Sequence, residues 1–237
     1  MKALIISDVH ANIDALRSIV EAEPDADAIY CAGDVIDYGL NPSEVIAYIK
    51  EKNIHTVMGN HDEAFVNVVL EQPPHDMNEP FTFAQYNCSI MTDEEKDFIR
   101  NLPMELSWEM DGIEYFMTHR FQPNYEVIWS RTLFSKYWAE KYPNSDPNKE
   151  HRCIFGHTHR SCILTLDDDK LWLNPGSASY RRGDDPTKDA NYAVIVDGKI
   201  TLKTVPYPRK HLYDQVCAMN LTDHERRCGI FFFGDPE

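Results

Sequence analysis

A chain of 237 residues that is 43% hydrophobic and 26% charged carries enough apolar matter for a core of its own, which excludes disordered and fibrous classes. Its 39 acidic against 23 basic residues, a formal charge of -16, repel a nucleic-acid backbone, so no nucleic-acid partner is expected; a small phosphorylated molecule accompanied by metal cations stays open. Six cysteines lie scattered with no C-x-x-C pair, and the apolar run Met1 to Ile6 soon meets Asp8; the expectation is reduced thiols, no signal peptide, no membrane span and a cytoplasmic protein.

Ala3 to Ser7 has strand length and composition, and it runs into Asp8-Val9-His10-Ala11-Asn12. Asn12 is a natural N-cap for a helix that carries Ile13, Leu16, Ile19 and Val20 on one face. The plan repeats: Ala28 to Ala32 as strand, Gly33-Asp34 through Gly39 as turn, and a helix from Ser43 to Lys52 behind Asn41-Pro42. A third strand, Ile54 to Met58, ends at Gly59-Asn60-His61-Asp62 before Ala64-Phe65-Val66 resume a helical pattern. Three strand-turn-helix units in succession argue for parallel strands with helices on their faces, hence an α/β fold.

Residues 71–80, rich in Pro, Asn and Asp, read as a surface excursion. Thr92-Asp93-Glu94-Glu95 has the form of a capping box and starts a short helix. Glu105 to Met110 and Ile113 to Thr118 flank Asp111-Gly112, a strong hairpin signal, and the second strand leads into His119. Residues 121–152 are aromatic-rich, helical around Thr132 to Lys141, and are expected to serve as a cap or lid over a single domain spanning 1–237. Cys153 to Phe155 is a strand ending in Gly156-His157-Thr158-His159. Strands at 163–166 and 171–173 precede Asn174-Pro175-Gly176-Ser177, and a second hairpin turns at Asp197-Gly198. The tail from Arg209 reads as a packing helix without chemistry.

Each polar turn closes a strand, which is where open α/β sheets place their ligands. Asp8-x-His10, Gly33-Asp34, Asn60-His61-Asp62, His119 and His157-x-His159 therefore converge if the strands share one end. Taken singly, each has a plain explanation as a helix cap or an exposed pair. That explanation has to hold five times over. Together the groups offer imidazole nitrogens, carboxylates and an amide oxygen, a mixture that suits a pair of Zn, Mn or Fe ions better than Mg or Ca alone.

The ordered series D-x-H, G-D, G-N-H-D, H, G-H-x-H between Asp8 and His159 resembles the calcineurin-like metallophosphoesterase family, and Asn174-Pro175-Gly176-Ser177 with the Arg182 region resembles its small bacterial phosphodiesterase branch. The resemblance implies a four-layer α/β/β/α sandwich with two central mixed sheets. It implies one metal held by Asp8, His10, Asp34 and His159, and a second by Asp34, Asn60, His119 and His157, with Asp34 bridging two divalent or trivalent ions (Mn, Fe or Zn). It also implies attack by a metal-bridging hydroxide on a small phosphate ester, a phosphodiester ahead of a monoester. His61 is placed to protonate the leaving oxygen, with Asp62 orienting its other ring nitrogen. Arg182, with Arg181 and Arg120 as further candidates and Asn60 as a shared contact, is expected to meet the phosphate. Arg120 stands where the family has Gly, and Ala11 follows His10 where Gly is frequent. The alternative is a non-catalytic metal-binding scaffold on the same fold. A nuclease is disfavoured by the acidic composition.

Overall fold

A computed structural model describes residues 1–179, 182–185 and 187–234. Ten strands form two five-stranded sheets: β1 (Lys2–Ile6), β2 (Ala28–Cys31), β3 (His55–Thr56), β4 (Glu105–Met110), β5 (Ile113–Thr118), β6 (Glu150–Ile154), β7 (Cys162–Asp167), β8 (Lys170–Asn174), β9 (Ala190–Val196) and β10 (Lys199–Val205). The helices are α1 (Ile13–Ala22), α2 (Pro42–Glu51), α3 (Asn60–Ala64), which continues as a wider π turn over Phe65–Val69, α4 (Phe83–Ile90), α5 (Asp93–Arg100), α6 (Arg131–Lys141), α7 (Lys210–Ala218) and α8 (Asp223–Phe233). One sheet has the order β10-β9-β1-β2-β3 and the other β4-β5-β6-β8-β7. β1, β2 and β3 pair parallel while β9 runs antiparallel to β1; in the second sheet β5, β6 and β8 are parallel and β4 and β7 antiparallel at the edges. Both sheets are mixed.

Side-chain alternation along the strands fixes the layers. Ala3 and Ile5 of β1 pack with Tyr115 and Met117 of β5 and Ile195 of β9 in a core between the sheets. The alternate residues Leu4 and Ile6 face the other way, onto Leu16 and Ile19 of α1 and Val45 and Ile46 of α2, in a cluster that also takes in Phe83, Ile99, Val216 and Phe232. On the far side Phe116 and Cys153 meet Phe134 and Trp138 of α6. The result is the expected α/β/β/α sandwich, with seven of the helices on one outer face and α6 alone on the other among the described residues. Tyr30 of β2 stacks on Trp108 of β4 at 3.9 Å between ring centroids, and Trp108 on Tyr115 at 5.3 Å, tying one sheet to the other.

Local chemistry explains most boundaries. Asn12 accepts the Ala15 N–H at 3.1 Å and caps α1. Thr92 and Glu95 form the reciprocal box that starts α5. Asp111 and Gly112 both take positive φ, 54° and 78°, as a two-residue hairpin turn requires. Three differences stand out. The third strand has only two ladder residues, because Val57 and Met58 send their N–H groups to Cys31 and Pro103 carbonyls as the chain bends away. α4 was not expected, although Thr82 and Gln85 form a second capping box. The tail makes two helices, not one.

Candidate metal centre and its cleft

β1, β2 and β3 of one sheet and β5 and β6 of the other bring all five polar turns to a shared end. Asp8 Oδ1 lies 3.0 Å from His159 Nε2, His10 Nε2 3.9 Å from Asp34 Oδ2, and His119 Nε2 3.2 Å from Asp34 Oδ2 and 2.9 Å from Asn60 Oδ1. The His157 and His119 rings are 5.4 Å apart. Asp8, His10, Asp34 and His159 offer one ligand atom each within 4.8 Å of one another, the same set that the family resemblance implies. Asp34, Asn60 and His119 form the neighbouring set, with Asp34 common to both, and His157 adjoins His119. Every residue proposed as a metal ligand is therefore in one place.

The backbone is forced to achieve this. Asp8, His10, Asp34, His157 and His159 all have φ between 47° and 64°, a left-handed conformation that costs about 1–2 kcal/mol per residue. Gly59 permits the close approach of two loops, since a Cβ there would lie 2.0 Å from Asp34 Oδ1 and 2.1 Å from the Asp34 backbone nitrogen.

The donor set fits cations. Asp8 is fully buried; His159 Nε2 meets its Oδ1 at 3.0 Å, while its Oδ2 has no hydrogen-bond donor among the described residues, and His157 Nε2 is likewise without a partner among them. A buried carboxylate left so is expensive unless positive charge meets it. His119 donates Nδ1–H to the Ala32 carbonyl at 2.7 Å, which turns Nε2 towards the carboxylates, the outer hydrogen bond that metal-binding imidazoles commonly make.

The electrostatics follow from crowding. Burial alone would raise Asp8 and Asp34, but His159 and His119 hold Asp8 below the ordinary carboxylate range, and His119 and His61 hold Asp34 well below it. Burial drives His10 and His157 down to about 4. Burial also opposes charge on His61 and His119, yet Asp34 outweighs it and both are raised to about 9.

His61 sits beside this centre, its ring 5.0 Å from that of His10 and its backbone N–H on Asp34 Oδ1 at 2.8 Å. The partner of its ring is Asp37, whose Oδ2 accepts Nδ1–H at 2.7 Å. This corrects the expectation that Asp62 orients His61. Asp62 is fully buried and turned inward, accepting the N–H groups of Gly59, Val35 and Ile36 at 2.9 to 3.2 Å. Burial and the nearby Asp34 charge raise it to about 6. Asp37 was missed because it lies in the turn after β2, remote in sequence from His61.

A cleft of about 240 Å³ opens on the centre, lined by Asp34, Tyr38, Asn60, His61, Tyr125, His157, His159, Arg182, Gly183 and Phe231. Arg182 lines it while donating to the Thr158 carbonyl and to Asp184. Arg120 is not among the lining residues and pairs with Glu63 at 3.1 Å. Arg181 lies outside the described residues. Of residues 121–152, only Tyr125 lines the cleft. Phe231 belongs to the tail that sequence reading set aside.

Over residues 1–197 the chain matches the Calcineurin-like phosphoesterase superfamily domain. An uncharacterized protein of Methanocaldococcus jannaschii is 27% identical, with 92% of this chain and 93% of that protein aligned. A symmetrical bis(5'-nucleosyl)-tetraphosphatase of Salmonella paratyphi C is 29% identical over 42% of each chain. A metallophosphoesterase structure from Sphaerobacter thermophilus superposes with a TM-score of 0.72 at 23% identity, covering 97% of this chain and 98% of the other. A hypothetical protein from Pyrococcus horikoshii OT3 does so with a TM-score of 0.75 at 17% identity, covering 100% and 99%. With its metal-ligand geometry and this match across most of its length, the chain belongs to the calcineurin-like phosphoesterase superfamily, metal-dependent hydrolases of phosphate esters.

Proposed function

We propose that the chain hydrolyses a small phosphate ester, a phosphodiester in preference to a monoester, with two divalent or trivalent ions of Mn, Fe or Zn. The observation that carries this reading is the pair of overlapping donor sets sharing Asp34, with the Asp37-held His61 beside them. One ion would rest on Asp8, His10, Asp34 and His159, the other on Asp34, Asn60, His119 and His157. Bound there, such ions polarise phosphoryl oxygens and bring water to an acidity at which hydroxide is available near neutral pH.

The chain's own groups supply the rest. Asp37 accepts Nδ1–H and fixes the His61 ring, leaving Nε2–H to protonate the departing oxygen. Asp34 and Asp37 both favour the charged form of His61; were ions held on Asp34, its share would be offset and Asp37 would be the main support. Arg182 is the one Arg or Lys lining the cleft among the described residues. A single guanidinium matches the single charge of a diester better than the double charge of a monoester. The small cleft favours a compact ester over a phosphorylated polypeptide, and the charge of -16 disfavours long nucleic acids. The relative named as a bis(5'-nucleosyl)-tetraphosphatase supports phosphate esters of nucleosides within this class. All six cysteines are free, which supports a reducing compartment, the cytoplasm; no described helix is long and apolar enough to cross a membrane.

The test is turnover of bis(p-nitrophenyl) phosphate and p-nitrophenyl phosphate by metal-depleted protein given Mn, Zn or Fe in turn. Diester hydrolysis restored by at least one metal is the expected result. Metal binding without turnover of either ester would establish the scaffold alternative instead.

A further inference from the structure

Besides its donor groups the cleft carries three rings, and two of them are unusually open. Tyr38 packs against His61 and Phe232 at centroid distances of 4.8 and 5.3 Å and is half-buried. Tyr125, by contrast, lies flat on the His157 ring, centroids 4.7 Å and planes 7° apart, yet remains 69% exposed. Phe231 is 42% exposed although Phe232 and Phe233, its neighbours on α8, are each 2% exposed. The Lys188 ammonium sits 4.2 Å from the centre of the Phe231 ring. Tyr125 and Phe231 thus each have one side covered by a polar neighbour and keep much of their carbon surface in water, at the mouth of a polar cleft.

Tyr125 and Phe231 come from segments more than a hundred residues apart and reach the same cleft independently. Gly183 stands beside Phe231: a Cβ there would come 3.9 Å from the tip of that ring. Arg182, next in the chain, lines the cleft as well. Flat carbon surface, a guanidinium and acid-base groups are thereby grouped within about 240 Å³.

We propose that Tyr125 and Phe231 form a subsite for a planar aromatic group of the ester, a nucleobase or an aryl ring. This rests on the phosphoesterase reading above and specifies the alcohol that the phosphate carries. An aromatic occupant is favoured over an aliphatic one because ring faces stack on ring faces with a defined geometry. The volume accommodates one ring next to the phosphate.

The experiment compares two probes with the same sugar and phosphate, adenosine 5'-monophosphate and ribose 5-phosphate. Their binding to Mn-loaded protein is measured by calorimetry, and their competitive inhibition by hydrolysis of bis(p-nitrophenyl) phosphate. The nucleotide is expected to bind at least about fivefold more tightly, the lower end of what stacking a base on an aromatic side chain supplies. Tyr125→Ala and Phe231→Ala should each shrink that ratio, and Tyr125→Phe should retain it. Trp129→Ala serves as a control, because Trp129 is 74% exposed on the same loop but does not line the cleft. A ratio near one in the unaltered protein, or one that survives both alanine substitutions, overturns the subsite while leaving hydrolysis of the reporter ester intact. Absence of hydrolysis with Mn, Zn or Fe defeats the phosphoesterase reading itself, and the subsite with it.

Discussion

Asp37 and Asp62 are two acids near one histidine with opposite employment. Asp37 holds the His61 ring, whereas Asp62 holds backbone, satisfying three N–H groups that would otherwise be buried without acceptors. His61→Ala should keep its bound metal, read by elemental analysis, while kcat falls about 10²- to 10⁴-fold, the usual contribution of a general acid. Asp62→Ala should act on stability first. Each orphaned N–H costs about 1–3 kcal/mol, so the thermal midpoint should drop by many degrees, and an unchanged midpoint would reject the structural role. That the seven residues proposed as metal ligands gather in one place was legible in the sequence because each lies in a short turn with its own signature. The Asp37 contact was not, because adjacency in sequence favoured Asp62, and the first turn of α3 points that carboxylate inward.

At the level of elements, periodicity and capping located nearly every strand and helix. The unexpected α4 follows a Pro-rich excursion, and its Thr82–Gln85 box was passed over in that company. What no local pattern reveals is which elements meet. α6 packs Phe134 and Trp138 onto Phe116 and Cys153 of the second sheet, and Phe231 arrives at the cleft from a tail that looked like filler. A similar long-range meeting occurs at Glu23, the residue that ends α1, where Lys2 of β1 at 2.8 Å, Lys203 of β10 at 2.6 Å and the Tyr192 hydroxyl of β9 at 3.0 Å converge. Burial would raise the Glu23 carboxyl, but these three partners outweigh it and hold it below its ordinary 4.5. A group with a depressed folded value contributes stability above its unfolded value and loses it as pH falls through the folded one. Glu23→Gln should therefore be less stable than the parent at neutral pH, with the gap closing as pH falls below 4.5 and through the lowered folded value, in urea titrations followed by circular dichroism. A gap that persists undiminished in acid would show that charge is not the cause.

For the whole molecule, we propose that residues 1–237 constitute a single domain whose site straddles its two sheets. Asp8, Asp34 and Asn60 follow strands of one sheet, and His119, His157 and His159 follow strands of the other. Ions bound across that seam favour the folded state alone. Chelation should therefore lower the midpoint of one cooperative thermal transition, and restoring a cation at a hundred times its dissociation constant should return about 2.7 kcal/mol. Two separate transitions in calorimetry would argue against a single domain.

The sheet that begins at the first residues is finished by the last strands, since β9 pairs against β1, and β10 against β9, only after the whole second sheet has been laid down. A nascent chain leaving the ribosome thus presents β1 with an unclaimed edge until residue 196 is out. Such open edges invite wrong partners. The stretch of synthesis between β1 and β9 is therefore the one in which misassembly of this sheet has its opening.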